Sequence, residues 1–200
     1  MFLLAACSSA YRQLQPEKGD ISVLYKLKPR FTVALYNTTV DVVGNHLSGI
    51  LLIKKMPDSS TRLVFSNQMG YKFFDFAFLP GGEFKVFSII EQMNKKPVIK
   101  TLQKDFELIL MENLDVAAMQ TRGNDSLVYY SFKMAKGYNH YITNKMGDSL
   151  IRMERASKRK TVVDVITRGK HAGSPKTWNW QSQLPGGSAG CGNGLSVRNF

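Results

Sequence analysis

Apolar side chains recur at alternate positions through most of residues 21–168, and only one stretch lengthens that period to helical spacing. Strands therefore outnumber helices, and no strand–helix–strand alternation is available to build a parallel sheet. Strands are read from Ile21 onward. Phe31, Val33 and Leu35 share one parity, and Val40 and Val42 resume an apolar pattern after Asn37-Thr38-Thr39. Leu47 to Ile53 follows a turn at Gly44-Asn45, and Thr61, Leu63 and Phe65 alternate with Arg62, Val64 and Ser66. Phe74, Phe76 and Phe78 then set three rings on one face, opposite Phe73, Asp75 and Ala77, before Pro80-Gly81-Gly82 turns the chain. Adjacent strands joined by short turns predict an antiparallel sheet with one thickly apolar face.

The helical stretch is Pro97 to Glu112. Val98, Ile99, Leu102, Phe106, Ile109 and Leu110 fall on one side, with Lys100, Gln103, Lys104 and Glu107 on the other. Pro97 suits the first turn, where its missing N–H has no partner to lose. Such a stripe has to be laid on something apolar, and the sheet is the surface long enough to receive it. Further strands are expected at Leu127–Met134, around Tyr138, His140 and Ile142, from Gly147 to Met153, and from Lys160 to Thr167. Eight to ten strands with one long helix make an α+β domain. The expected boundaries are 1–7 for a signal remnant, 8–20 for a tether, 21–168 for the domain and 169–200 for a flexible tail. The tail is read from its glycine-rich run at 186–194, with Trp178 and Trp180 as its one anchored piece, an edge strand.

The chain opens Met1-Phe2-Leu3-Leu4-Ala5-Ala6-Cys7-Ser8-Ser9. An apolar run, small residues and then cysteine resemble the lipobox of bacterial lipoproteins, in which the cysteine is acylated and holds a domain at a membrane. The apolar run is shorter than the about 7–15 residues of a signal core, and no basic residue precedes it. Two explanations follow: a start inside a longer signal peptide, or a buried cysteine of no significance. Ala5-Ala6-Cys7-Ser8-Ser9 before the polar stretch Tyr11–Asp20 favours lipidation at Cys7. Ser8, in place of aspartate, resembles the sorting pattern for an outer membrane facing the periplasm.

Lipobox, Gly49 before Ile50-Leu51-Leu52-Ile53-Lys54-Lys55, Arg62 on the next strand and a covering helix together resemble the LolA/LolB-like lipoproteins, especially small uncharacterised ones of the Bacteroidota. That resemblance implies a curved antiparallel half-barrel closed by an amphipathic helix over an apolar cavity. It implies binding of acyl chains or a lipidated partner, without covalent chemistry. The cavity would be lined by Phe31, Val33, Leu35, Leu63, Phe65, Phe74, Phe76, Phe78, Leu102 and Phe106. The same side chains equally make a solid core, leaving a structural or adaptor lipoprotein as the alternative.

Two cysteines and three histidines exclude a Cys-rich zinc module or a disulfide scaffold. His46, His140 and His171 have no ligand spacing, and Cys191 sits among glycines. Nucleophile elbows and phosphate loops are absent, so no catalytic residue, metal or cofactor is expected. The net charge of +12 is the remaining feature. It concentrates at Arg152, Arg155, Lys158, Arg159 and Lys160, read as a hairpin loop held out from the sheet. Anionic headgroups or an envelope polymer suit this basic patch. A basic nucleic-acid-binding domain is a third alternative, but no interleaved aromatics share the patch, and nucleic acid is not the expected partner.

Overall fold

The computed structural model describes residues 10–30, 32–42, 45–156, 161–168, 177–182 and 194–199. The strands are β1 (Gln15–Pro16), β2 (Val33–Val42), β3 (Asn45–Lys55), β4 (Thr61–Ser66), β5 (Lys72–Phe78) and β6 (Phe84–Ile89). They continue as β7 (Gln120–Gly123), β8 (Leu127–Met134), β9 (Gly137–Asn144), β10 (Leu150–Ala156), β11 (Thr161–Arg168), β12 (Thr177–Ser182) and β13 (Gly194–Asn199). Among the described residues two α-helices accompany them, α1 (Ile21–Leu27) and α2 (Lys96–Leu110). All thirteen strands join one antiparallel sheet in the order β1-β7-β8-β9-β10-β11-β12-β13-β2-β3-β4-β5-β6. The architecture is mostly sheet.

Where the period is clean, the sheet follows it. β4 buries Thr61, Leu63 and Phe65 and turns Arg62, Val64 and Ser66 outward. Leu63 pairs with Phe76 and Phe65 with Phe74, so the rings of β5 meet those of its neighbour. Asp75, on the outer face of β5, accepts hydrogen bonds from Arg62 and Lys72. Burial alone would raise its pKa. Those hydrogen bonds overrule the burial, and the carboxyl is held below the usual carboxylate range.

Parity fails on β2. Val33 and Leu35 are 52% and 45% exposed, while Tyr36, Thr38 and Val40 are buried. The register explains it: Tyr36 faces Leu51 and Ala34 faces Ile53, two residues already committed to the core. With apolar residues at both parities, the larger ring takes the inside, and the hydroxyl of Thr38 is satisfied by the carbonyl of Tyr36 at 3.2 Å. Gly49 of β3 lies so close to β4 that a Cβ there would meet the Ser66 carbonyl oxygen at 2.0 Å.

Three other expectations are corrected. Residues 21–27 form α1, not a strand, because Asp20 caps the first turn through the amide of Ser22 at 2.8 Å and Leu24 is fully buried. Residues 10–20 are not a free tether. Leu14 is buried, β1 pairs with β7, the Glu17 amide donates to the Thr121 carbonyl at 3.0 Å, and Lys145 pairs with Glu17. Nor is the region after 169 all tail. β12 and β13 stand inside the sheet between β11 and β2, so the segment carrying Trp178 and Trp180 is an interior strand.

The helix α2 ends at Leu110, with its apolar run and two residues before the expected Glu112. Met111 adopts φ 51°, and the amides of Met111 and Glu112 bond back to Leu108 and Glu107. Its apolar stripe of Val98, Leu102, Phe106 and Ile109 is buried.

Candidate functional site

Of the ten side chains expected to line a cavity, Leu63, Phe65, Phe74, Phe76, Phe78, Leu102 and Phe106 are buried. Val33 and Leu35 face outward, and Phe31 lies outside the described residues. The buried rings touch one another. Phe74 stacks on Phe76 with centroids 4.4 Å apart, meets Phe106 of α2 edge-on at 5.9 Å, and lies 5.6 Å from Phe65. Phe84 closes on both Phe76 and Phe78 at 5.1 Å.

Two polar contacts fasten α2 at its other flank. The hydroxyl of Tyr141 on β9 donates to the Leu108 carbonyl at 3.1 Å, and Arg155 of β10 pairs with Asp105 at 2.5 Å. Arg155 is therefore not part of an exposed basic loop. Alternation along β10 turns Met153 and Arg155 to the core, and a helix carboxylate of 0% exposure is there to receive the charge. Arg152, on the opposite face, pairs with Glu154 at 3.1 Å. Lys158, Arg159, Lys160 and Cys7 lie outside the described residues.

A cross-strand row that the sequence does not announce runs over the outer face: Ser131 of β8 faces His140 of β9, which faces Glu154 of β10. Ser131 Oγ lies 2.8 Å from His140 Nδ1. Tyr11 covers the row, its ring stacked on His140 at 4.6 Å and its hydroxyl donating to Glu154 at 2.5 Å. Tyr129 and Tyr138 complete the aromatic surround. Burial pushes the His140 imidazole down to about 4, against a smaller opposing pull from Glu154, so the ring is neutral near pH 7. A serine beside a neutral imidazole is a nucleophile–base pair in outline. Here the serine is buried and the ring is capped, so the arrangement builds a hydrogen-bonded seam.

An open concavity lies elsewhere among the described residues, at the C-terminal end of α2. A cleft of about 330 Å3 is bounded by Lys28, Pro29, Arg30 and Thr32 between α1 and β2, by Lys55 and Thr61 at the β3–β4 turn, and by Leu110 and Glu112. The Lys55 amide donates to the Thr32 carbonyl at 3.0 Å, which joins the two strand ends. Lys28 joins the third wall: its Nζ donates to the Met111 carbonyl at 3.0 Å and lies 3.4 Å from Glu112. Lys55 Nζ also reaches the Thr61 hydroxyl at 3.4 Å. Sequence reasoning missed this site because its residues are dispersed over 28–112 and meet only through topology.

The chain matches no family model, no curated protein and no solved structure. Among the described residues no helix is long and apolar enough to cross a membrane, and no three His, Cys, Asp or Glu side chains converge as metal ligands.

Proposed function

We propose that this chain is an envelope lipoprotein, anchored through acylated Cys7 on an outer membrane facing the periplasm, that works as a non-enzymatic adaptor and engages its partner on its surface. The observation that carries the adaptor reading is the mutual ring contact of Phe65, Phe74, Phe76 and Phe106. Side chains that fill one another's van der Waals shells leave their apolar area committed to the core, where it contributes about 25 cal/mol per Å2 to folding. The polar ties from Tyr141 and Arg155 to α2 also oppose the helix displacement that release of an acyl chain would need.

A curled, half-barrel form of the sheet belongs to the same proposal. β10 stands fifth in the strand order and β5 twelfth. In a flat sheet they would be separated by about 34 Å, at roughly 4.8 Å per strand. Yet the adjacent helix residues Asp105 and Phe106 touch both, and a helix with its side chains is only about 10–12 Å across. That pairing of contacts favours wrapping of the sheet around α2.

The docked residues 10–16 bear on how such an anchor would act. Cys7 precedes Tyr11 by four residues, which span at most about 14 Å when extended. An acylated Cys7 would thus hold the β8–β10 face close to the bilayer. Intact-mass measurement of the chain extracted from membranes tests the proposal. A diacylglyceryl-modified cysteine at position 7, with no further lipid retained under native conditions, is expected. An unmodified Cys7 overturns the anchor, and a stoichiometric non-covalent lipid overturns the adaptor in favour of a carrier.

A further inference from the structure

We infer that the outward face of α2 binds an extended acidic segment of a partner polypeptide. Lys96, Lys100 and Lys104 stand four residues apart along the helix, with Lys95 at its N-cap. Lys136, in the β8–β9 turn, is close enough for its charge to act on Lys104. Lys96 and Lys100 are exposed and Lys104 is half-buried. Among the described residues none of these five lysines has a carboxylate at ion-pair distance. Nearby acidic groups are few. Asp105 is paired with Arg155, Glu107 accepts from Gln103 at 2.8 Å, and Glu91 lies just before the helix. Five lysines against Glu91 and Glu107 leave a net charge of +3.

This arrangement carries three local costs. Cations are disfavoured at the positive end of a helix, yet Lys95 and Lys96 open α2 and its first turn holds no acidic residue. Like charges at i and i+4 repel, and the row from Lys96 to Lys104 repeats that spacing twice. Burial and the charges of Arg155 and Lys100 hold the Lys104 ammonium below the usual lysine range, against an upward pull from Glu107. A polyanion laid along the row relieves all three. Spacing and chemistry choose among polyanions. The lysines recur about every 6 Å, four residues at about 1.5 Å each, and alternate carboxylates on an extended chain recur about every 6.7 Å. Lysine lacks the forked donors that arginine offers to phosphate, and Arg155 is committed to Asp105. α2 carries no exposed aromatic ring to stack on bases and no exposed large apolar side chain to enter a bilayer.

The inference names the partner of the adaptor reading and rests on it, but it does not require acylation of Cys7. The test titrates the purified full chain into fluorescein-labelled oligoglutamate and follows anisotropy, with oligothymidine of equal charge and phosphatidylglycerol vesicles as comparison probes. Saturable binding to oligoglutamate that weakens with salt is expected. Lys100→Met and Lys104→Met should each weaken it about threefold. Lys54→Met, at an exposed position on the sheet face away from α2, should leave it unchanged. Methionine is as good a helix former as lysine, circular dichroism checks that each variant folds, and Lys100→Gln repeats the test if a methionine variant does not. Absence of binding at low salt overturns the proposal. So does an equal loss with Lys54→Met, or tighter binding to vesicles or oligothymidine than to oligoglutamate. Any of these leaves the filled core standing, whereas a lipid retained in the core strikes the adaptor reading itself.

Discussion

Replacing Arg155 with methionine separates a surface role for this arginine from a structural one. The side chain is 11% exposed and that of its partner Asp105 0%. Methionine keeps most of the aliphatic stem but takes the Arg155 charge away from the buried Asp105 carboxylate. Breaking a buried pair from one side costs about 3–5 kcal/mol, because the surviving charge loses its partner without regaining water. Asp105→Leu/Arg155→Met removes both charges and keeps a good helix former on α2, so the double variant should fall within about 1–2 kcal/mol of the parent. Urea unfolding followed by circular dichroism reads the difference. With a slope of about 2 kcal/mol per molar urea, the single variant's midpoint drops by about 1.5–2.5 M and the double variant recovers most of it. A single-variant loss below about 1 kcal/mol would refute the reasoning and return Arg155 to solvent and to the basic patch.

Three further outcomes follow from the same geometry. His140 is held down to about 4 from an ordinary 6.5, so the unfolded chain takes up this proton first. Stability is then full above pH 6.5 and falls as pH drops toward 4, by about 3 kcal/mol at 1.36 kcal/mol per unit. His140→Gln should flatten that window in pH-dependent melts, and an unchanged slope would assign it to other groups. Tyr11→Ala removes the ring stacked on His140 and the bond to Glu154. It should lower stability by about 1–2 kcal/mol, and it should speed proteolytic cutting before residue 20. Equal cutting rates would mean that residues 10–16 do not dock. Gly49→Ala drives a methyl into the Ser66 carbonyl and should cost about 1–3 kcal/mol in thermal or urea unfolding, whereas a neutral result would require slack between β3 and β4.

The parts of the fold legible from sequence were those where one physical signal acted alone. β4 alternated cleanly, β5 carried three rings on one parity, and α2 had a single apolar stripe with proline at its start. β2 was ambiguous because Val33 and Leu35 compete with Tyr36 and Val40 for the inside, and only the partner strand decides. In α1, β-branched and aromatic residues masked a helix that a single Asp20 cap and one buried leucine suffice to place. β12 was legible only as an edge strand and β13 was hidden, because a glycine-rich connection separates them, and strand pairing across it is a long-range event that local composition does not record. Arg155 was read by its charge, and its inward turn depends on Asp105, fifty residues away. The cleft was invisible for the same reason: Lys28, Lys55 and Glu112 share no local pattern.

Whether apolar ligands enter the core is decided most directly by titrating the purified full chain with cis-parinaric acid, whose fluorescence rises when its chain is buried. The packed contacts among Phe65, Phe74, Phe76 and Phe106 predict no saturable increase and no competition by palmitate. Saturable one-to-one binding displaced by palmitate would contradict the filled core and make the chain a carrier.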